Sequence, residues 1–269
     1  MRNPDTWRPT KYVVRRNRLY VSSSWRRVGV SSRLIAQLVA DAYEKYIPLY
    51  SRGDLADIGC GFVPMYEYYK QYVSSITTID WPESFHANEH LDIVADLNTA
   101  PIPGVIASSY DTIILSDVLE HIYHPRILLD KLYRILKPGG RLLMNVPFYY
   151  PVHESPHDYH RYTEFALKRY LAEAGFEIVE FKPLGGVVAC MIDIVSKGLC
   201  MIGVRNNKTR RTIEMVVRLP FMLSTALLQN IVCFLRNTYY RQEAICSLWA
   251  ILLLRKNFRN SVKLWIEIL

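Results

Sequence analysis

With 269 residues the chain can bury a full core, as one large domain or one domain with an appendage. Its net charge of +8 is unevenly placed: residues 1–33 and 185–269 are each strongly basic, and residues 34–184 are acidic. The acidic centre argues against nucleic acid lying across it, because phosphate neutralisation supplies most of such affinity. Basic flanks suit something anionic, a membrane surface or a nucleic acid, or else an arm packed on the acidic centre. Five scattered cysteines without a C-x-x-C argue against a disulfide frame and suit a reducing compartment. The opening stretch MRNPDTWRPTKYVVRRNR is charged throughout and lacks the apolar run of a signal peptide, so a cytoplasmic location is expected.

After the basic arm (1–33), SSRLIAQLVADAYEKYIP reads as a helix capped by Ser31 or Ser32, with Pro48 beyond its end. Short apolar runs then alternate with helical patterns. The runs are LADIG, SITTID, LDIVAD, YDTIILSD, GRLLMNVP and FEIVEFKP; helices are expected from Pro64, near 125–136 and near 163–174. Such alternation calls for a mostly parallel sheet covered on both faces. KPGG at 137–140 reads as a helix stop and turn. From 185 to 242 the chain turns apolar and basic. GGVVACMIDIVSKGLCMIGV (185–204) is nearly long enough to span a bilayer, but Asp193 and Lys197 in its middle argue against that. RTIEMVVRLPFMLSTALLQNIVCFLR (211–236) reads as an amphipathic helix with a kink or start at Pro220. ICSLWAILLLRK (245–256) reads as one more buried strand, within a final segment of 243–269.

The chemistry concentrates in two places. In LADIGCGFVP (55–64), Gly59 and Gly61 let the backbone turn sharply and approach a ligand beside a helix start. Pro64 stands where a dinucleotide fingerprint needs its third glycine, and Asp57 precedes the first. Here the chain resembles class I S-adenosylmethionine-dependent methyltransferases. The likeness covers about residues 50–182. It implies a Rossmann-like seven-stranded α/β sheet, here with an apolar, helical insertion before the last strand, and S-adenosylmethionine as cofactor. In that family the Asp-x-Gly-x-Gly loop (Asp57, Gly59, Cys60, Gly61) holds the amino-acid end of the cofactor. Asp80 of TTIDW, with Trp81 after it, would bind the ribose, and Asp96 and Leu97 of VADLN would lie by the adenine. SDVLEHI, from Ser116 through His121, and ILKPGGRLLMNVP match later motifs. Taken singly, Asp57 also reads as a helix cap, Asp80 as a turn residue and His121 as a core histidine.

The second place is the loop HESPHDYHRYT (153–163). Its first five letters fit H-E-x-x-H, yet Pro151 and Pro156 bracket the pair and disfavour the helix that a zinc peptidase needs. A divalent metal bound outside that pattern stays open as the second reading and is not favoured. VPFYYPVHESPHDYHRYT resembles a segment of methyltransferases encoded among bacterial surface-polysaccharide genes. At the carboxyl edge of the sheet the loop would wall the acceptor and supply a base, with His153, His157 and Asp158 as candidates. His121, Tyr149, His160, Arg161 and Tyr162 would line the acceptor site. The same residues read equally as structure, with Asp158 and Arg161 bracing the loop and Thr163 capping the next helix. The expected activity is O-methylation of a saccharide or lipid-linked saccharide; the alternatives are methylation of a lipid or quinone-type molecule, or a binding module without turnover. The insertion and arm would meet an anionic membrane at its inner face, or form a homodimer interface and lid.

Overall fold

The computed structural model describes residues 1–83, 89–99, 102–201 and 248–255. A hairpin of β1 (Tyr12–Arg15) and β2 (Arg18–Val21) precedes helix α1 (Arg33–Tyr50). The sheet then builds from β3 (Asp54–Ile58), β4 (Ser75–Asp80), β5 (Ile93–Val94) and β6 (Tyr110–Ser116), followed by β7 (Leu136–Pro147), β8 (Phe176–Leu184) and β9 (Leu248–Arg255). Among these run α2 (Tyr66–Tyr69), α3 (Pro125–Ile135), α4 (Glu164–Glu173) and α5 (Val187–Met201). The strand order is β5-β4-β3-β6-β7-β9-β8. Strands β3 to β7 pair in parallel, and β9 slots antiparallel between β7 and β8. This is the seven-stranded class I methyltransferase sheet.

Alternation along the strands divides two cores, as a sheet buried on both faces requires. Leu55, Ile114, Leu143 and Leu252 join the core beneath α1, while Ala56, Ile58, Ile113, Leu115, Leu142, Met144, Ile251 and Leu253 face the opposite one. Helix α3 supplies the second core with Leu128, Leu129, Leu132 and Ile135, an apolar stripe at helical spacing. Helix α4 adds Leu167 and Leu171, and Thr163 Oγ1 accepts from Ala166 N–H to cap its start.

Several boundaries differ from the sequence reading. Pro48 lies inside α1, whose Ser32 cap makes no side-chain bond. The helix expected from Pro64 shrinks to the single turn of α2, because Met65, Tyr68 and Tyr69 are drawn into the core instead. KPGG lies within β7, whose pairing with β6 shifts register there. Residues 1–33 do not stand apart: Trp7, Tyr12, Leu19, Val21 and Val28 are buried in the core beneath α1. Of the apolar segment, 187–201 is helical, with Asp193 and Lys197 both buried and paired to one another. The helix expected at 211–236 lies outside the described residues. No helix among the described residues is long and apolar enough to cross a membrane.

Strand order reverses between β3 and β6. Ligands bind open α/β sheets in the crevice at that point, outside the carboxyl ends of the strands.

Candidate active site

At the end of β3 the chain turns through Gly59 and Gly61, both in left-handed backbone (φ 67° and 50°). A Cβ at Gly59 would stand 2.4 Å from Val118 Cγ2, so the position excludes any side chain. Gly59 N–H donates to Ile79 O at 2.8 Å, and Gly61 N–H donates to Asp80 Oδ2 at 2.7 Å. Trp81 N–H donates to the other oxygen, Asp80 Oδ1, at 2.7 Å. The Asp80 carboxylate thus ties the glycine turn to the end of β4. Val63 also carries positive φ (50°), and Trp7 from the N-terminal segment donates its indole N–H to the Val63 carbonyl at 3.2 Å.

Asp57 is buried, and its Oδ2 accepts from the Tyr69 hydroxyl at 2.8 Å. Burial pushes its carboxyl up to about 7, against the pull of that hydrogen bond and with added repulsion from Asp80. A carboxylate so poorly solvated favours a cationic partner. The neighbouring Cys60 thiol is buried and pushed upward for the same reason, so it is no thiolate.

These residues open into a cavity of about 610 Å³, large enough for a nucleoside-sized ligand with room to spare. Asp57, Gly59, Cys60, Gly61 and Ser116 form one wall. Glu120, His121, His153 and Glu154 form another, and Lys11, Arg26 and Arg27 reach it from the N-terminal segment.

The loop after β7 is clamped onto the segment after β6. Tyr159 N–H and His160 N–H both donate to Glu120 O, and the Tyr162 hydroxyl donates to Leu119 O. Arg161 grips Asp158 through both oxygens at 2.6 and 2.7 Å and donates to the carbonyls of Tyr150 and Pro151. Despite partial burial, the Arg161 bonds lower the Asp158 carboxyl to about 2. Asp158 Oδ2 in turn lies 3.1 Å from His153 Nδ1. Burial, with His121 alongside, holds the His153 imidazole below its ordinary value. Glu120 is fully buried, and burial plus the Asp117 charge pushes its carboxyl well above the usual range.

A family model described as "Methyltransferase domain" matches residues 30–181, more than half of the chain. The chain belongs to this methyltransferase domain family. Among solved structures, the methyltransferase resembles the [4+2]-cyclase SpnF at 16% identity and a TM-score of 0.51, over 82% of each chain. It also resembles the putative methyltransferase in complex with the Trm112 activator of Haloferax volcanii (16% identity, TM-score 0.49, 84% of this chain and 94% of that one). A third likeness is to a Haemonchus contortus phosphoethanolamine N-methyltransferase solved with S-adenosyl-L-methionine (13%, 0.49, 87% and 57%). At 16% identity the likeness to SpnF speaks for fold alone. No curated protein matches.

S-adenosylmethionine is the cofactor of this family, and the donor set suits it: a buried carboxylate at Asp57 for the ammonium, a side-chain-free turn at Gly59 and Gly61, and Asp80 close behind. The methyltransferase brings together most of the expected cofactor residues but not all. Asp96 accepts from Asn98 N–H in its own turn, Leu97 is buried in the core, and neither lines the cavity. Trp81 and Asp80 stand outside the lining too, the Trp81 ring edge-on to His157 and the Asp80 carboxylate behind the turn, accepting from Gly61 and Trp81 N–H.

The loop candidates separate. His153 and His121 line the cavity. The His157 ring lies outside, on Trp81 and the Tyr159 hydroxyl, and its backbone N–H closes a turn onto Glu154 O. Asp158 is likewise outside the cavity lining, both of its oxygens held by Arg161. Tyr162 is buried in the core, His160 packs on Tyr162, and Tyr149 is exposed beside Phe148. The loop is not helical, so H-E-x-x-H places no histidine pair on one face. Sequence reasoning missed Glu120, although it lies in the SDVLEHI stretch, and missed Lys11, Arg26 and Arg27, read only as charge.

Proposed function

We propose that this methyltransferase moves the methyl group of S-adenosylmethionine to a hydroxyl of a saccharide or lipid-linked saccharide. One observation carries the reading: the cofactor cradle at Asp57, Gly59 and Gly61 and the pair His121 and His153 open into one cavity. The cofactor supplies an already activated methyl on a sulfonium sulfur, so the protein's tasks are placement and removal of the acceptor's proton. Asp57 holds the ammonium end and Asp80 the ribose end. On the opposite wall His153 and His121 face the acceptor hydroxyl, and Asp158 acts as a positioning residue for His153.

The basic side chains support an anionic acceptor. Lys11, Arg26 and Arg27 line the same cavity and suit a phosphate such as the one joining a saccharide to a lipid carrier. That chemistry also favours work beside an anionic membrane at its inner face over the homodimer reading of the apolar segment.

The test is transfer of isotopically labelled methyl from S-adenosylmethionine to acceptors of three classes: saccharides, free and phosphate-linked; quinols; and amines. Label in an alkali-stable ether on a saccharide is the expected result. Transfer confined to a quinol or an amine overturns the acceptor, and no transfer to any class, with the donor bound, favours a binding module.

A further inference from the structure

Glu120 presents a geometric problem that methyl transfer does not explain. Its carboxylate has no exposure, lines the cavity, and has no hydrogen-bond partner for either oxygen among the described residues. A buried carboxylate left without a partner carries its full desolvation penalty.

The two histidines sharpen it. His121 Nδ1 is 2.8 Å from the His157 carbonyl. His153 Nδ1 is 3.1 Å from Asp158 Oδ2 and 3.3 Å from the Pro151 carbonyl. All of these neighbours are acceptors, so each Nδ1 carries a ring hydrogen, and in the neutral ring each Nε2 presents its lone pair. Both bare nitrogens then look toward Glu120 Oε1, His121 Nε2 at 3.7 Å and His153 Nε2 at 3.9 Å. Those distances are too long for hydrogen bonds. They match two ligands sharing one ion, since bonds of about 2.1 Å at tetrahedral or wider angles set ligand atoms roughly 3.4–4 Å apart. One ligand atom from each of the three residues falls within 4.8 Å of the others.

We propose that Glu120, His121 and His153 bind a divalent first-row transition cation. Two imidazoles with one carboxylate favour ions from manganese to zinc over magnesium or calcium, which take oxygen ligands. The Asp158–His153 contact and the His157 carbonyl on His121 are the outer supports such ligands need. Three protein ligands leave positions open toward the cavity, the arrangement of a reactive site and not of a structural one. Glu154, whose Oε2 is 3.9 Å from His121 Nε2, stands at the exposed side as a fourth donor.

The role of this ion rests on the hydroxyl-acceptor reading. The acceptor hydroxyl takes an open position beside the cation, which makes it more acidic. Its O–H bond breaks and the proton passes to water. The oxygen then forms the new bond to the methyl carbon while the carbon–sulfur bond breaks and its electron pair returns to sulfur as a thioether. The cation keeps its charge throughout.

The test uses the full chain stripped with a chelator, then titrated with cobalt(II) by visible absorption and with manganese(II) and zinc(II) by calorimetry. Expected is uptake of one equivalent by the parent protein and by His157→Ala, whose ring is outside the cavity. Glu120→Gln and His153→Ala should each weaken uptake at least about 100-fold. Calorimetry with S-adenosylhomocysteine confirms that the variants are folded. No stoichiometric uptake by the parent, or uptake unchanged in both variants, overturns the site. If Glu120→Gln does not fold, His153→Ala and His121→Ala decide by the same readout. The two readings fail separately: uptake without methyl transfer to any saccharide removes the acceptor but leaves the ion, while chelator-indifferent transfer without uptake removes the ion alone.

Discussion

Asp158 holds His153 twice: its Oδ2 accepts the backbone N–H of His153 at 2.9 Å and lies 3.1 Å from Nδ1 of the same ring. One carboxylate therefore sets both the path of the loop and the tautomer of the histidine that faces the cavity, while Arg161 keeps that carboxylate in place.

Asp158→Ala should lower the methyl-transfer rate about 10–100-fold, the usual effect of removing an outer support. The affinity for S-adenosylhomocysteine should stay within roughly threefold, since the Asp57 wall is untouched. Asp158→Asn, which keeps an acceptor for Nδ1, should lose less. Single-turnover kinetics with calorimetry separates this from loop collapse, in which rate and affinity would fall together.

Asp57 should make cofactor binding pH-dependent. With its carboxyl at about 7, it is neutral below that pH and ionised above it, and only the ionised form attracts an ammonium. Affinity for the donor should rise roughly tenfold between pH 6 and 8 in the parent protein, and Asp57→Asn should be weak and flat across that range. The sign for stability is opposite. Between the ordinary value of 3.8 and about 7, the folded state holds more protons than the unfolded chain, so the free protein loses stability as pH rises through that window. Asp57→Asn should therefore melt higher than the parent at pH 8, as read by thermal unfolding without ligand.

Gly59→Ala places a methyl against Val118 in left-handed backbone. A cost of about 1–3 kcal/mol is expected from strain and collision together. Donor affinity should fall at least tenfold. Val118→Ala in the same chain should recover part of the stability but not the backbone cost, which chemical denaturation would resolve.

Beneath the cavity, the Tyr43 hydroxyl donates to Asn145 Oδ1 at 2.8 Å, and Asn145 Nδ2 donates to Asp117 Oδ1 at 2.5 Å. Tyr43→Phe leaves a buried amide oxygen without its donor. It should cost about 1–3 kcal/mol in urea unfolding, with cofactor affinity nearly unchanged.

The sequence by itself determined the sheet and the glycine turn at the end of β3, because both are local. Strand periodicity is written in runs such as YDTIILSD, and the turn at Gly59 requires glycine whatever surrounds it. Asp57 and Asp80 could be read as a pair since neighbouring strands return to the same edge at a regular spacing. Tertiary structure alone decided which residues of the loop after β7 reach the cavity. In HESPHDYHRYT the histidines look equivalent, yet His153 lines the cavity and the His157 ring lies outside it. Glu120 was invisible for the same reason: an acid in a motif acquires meaning only when packing removes its water and folding brings His153, thirty-odd residues away, to face it. Burial and convergence are properties of the folded chain, and no spacing rule encodes them.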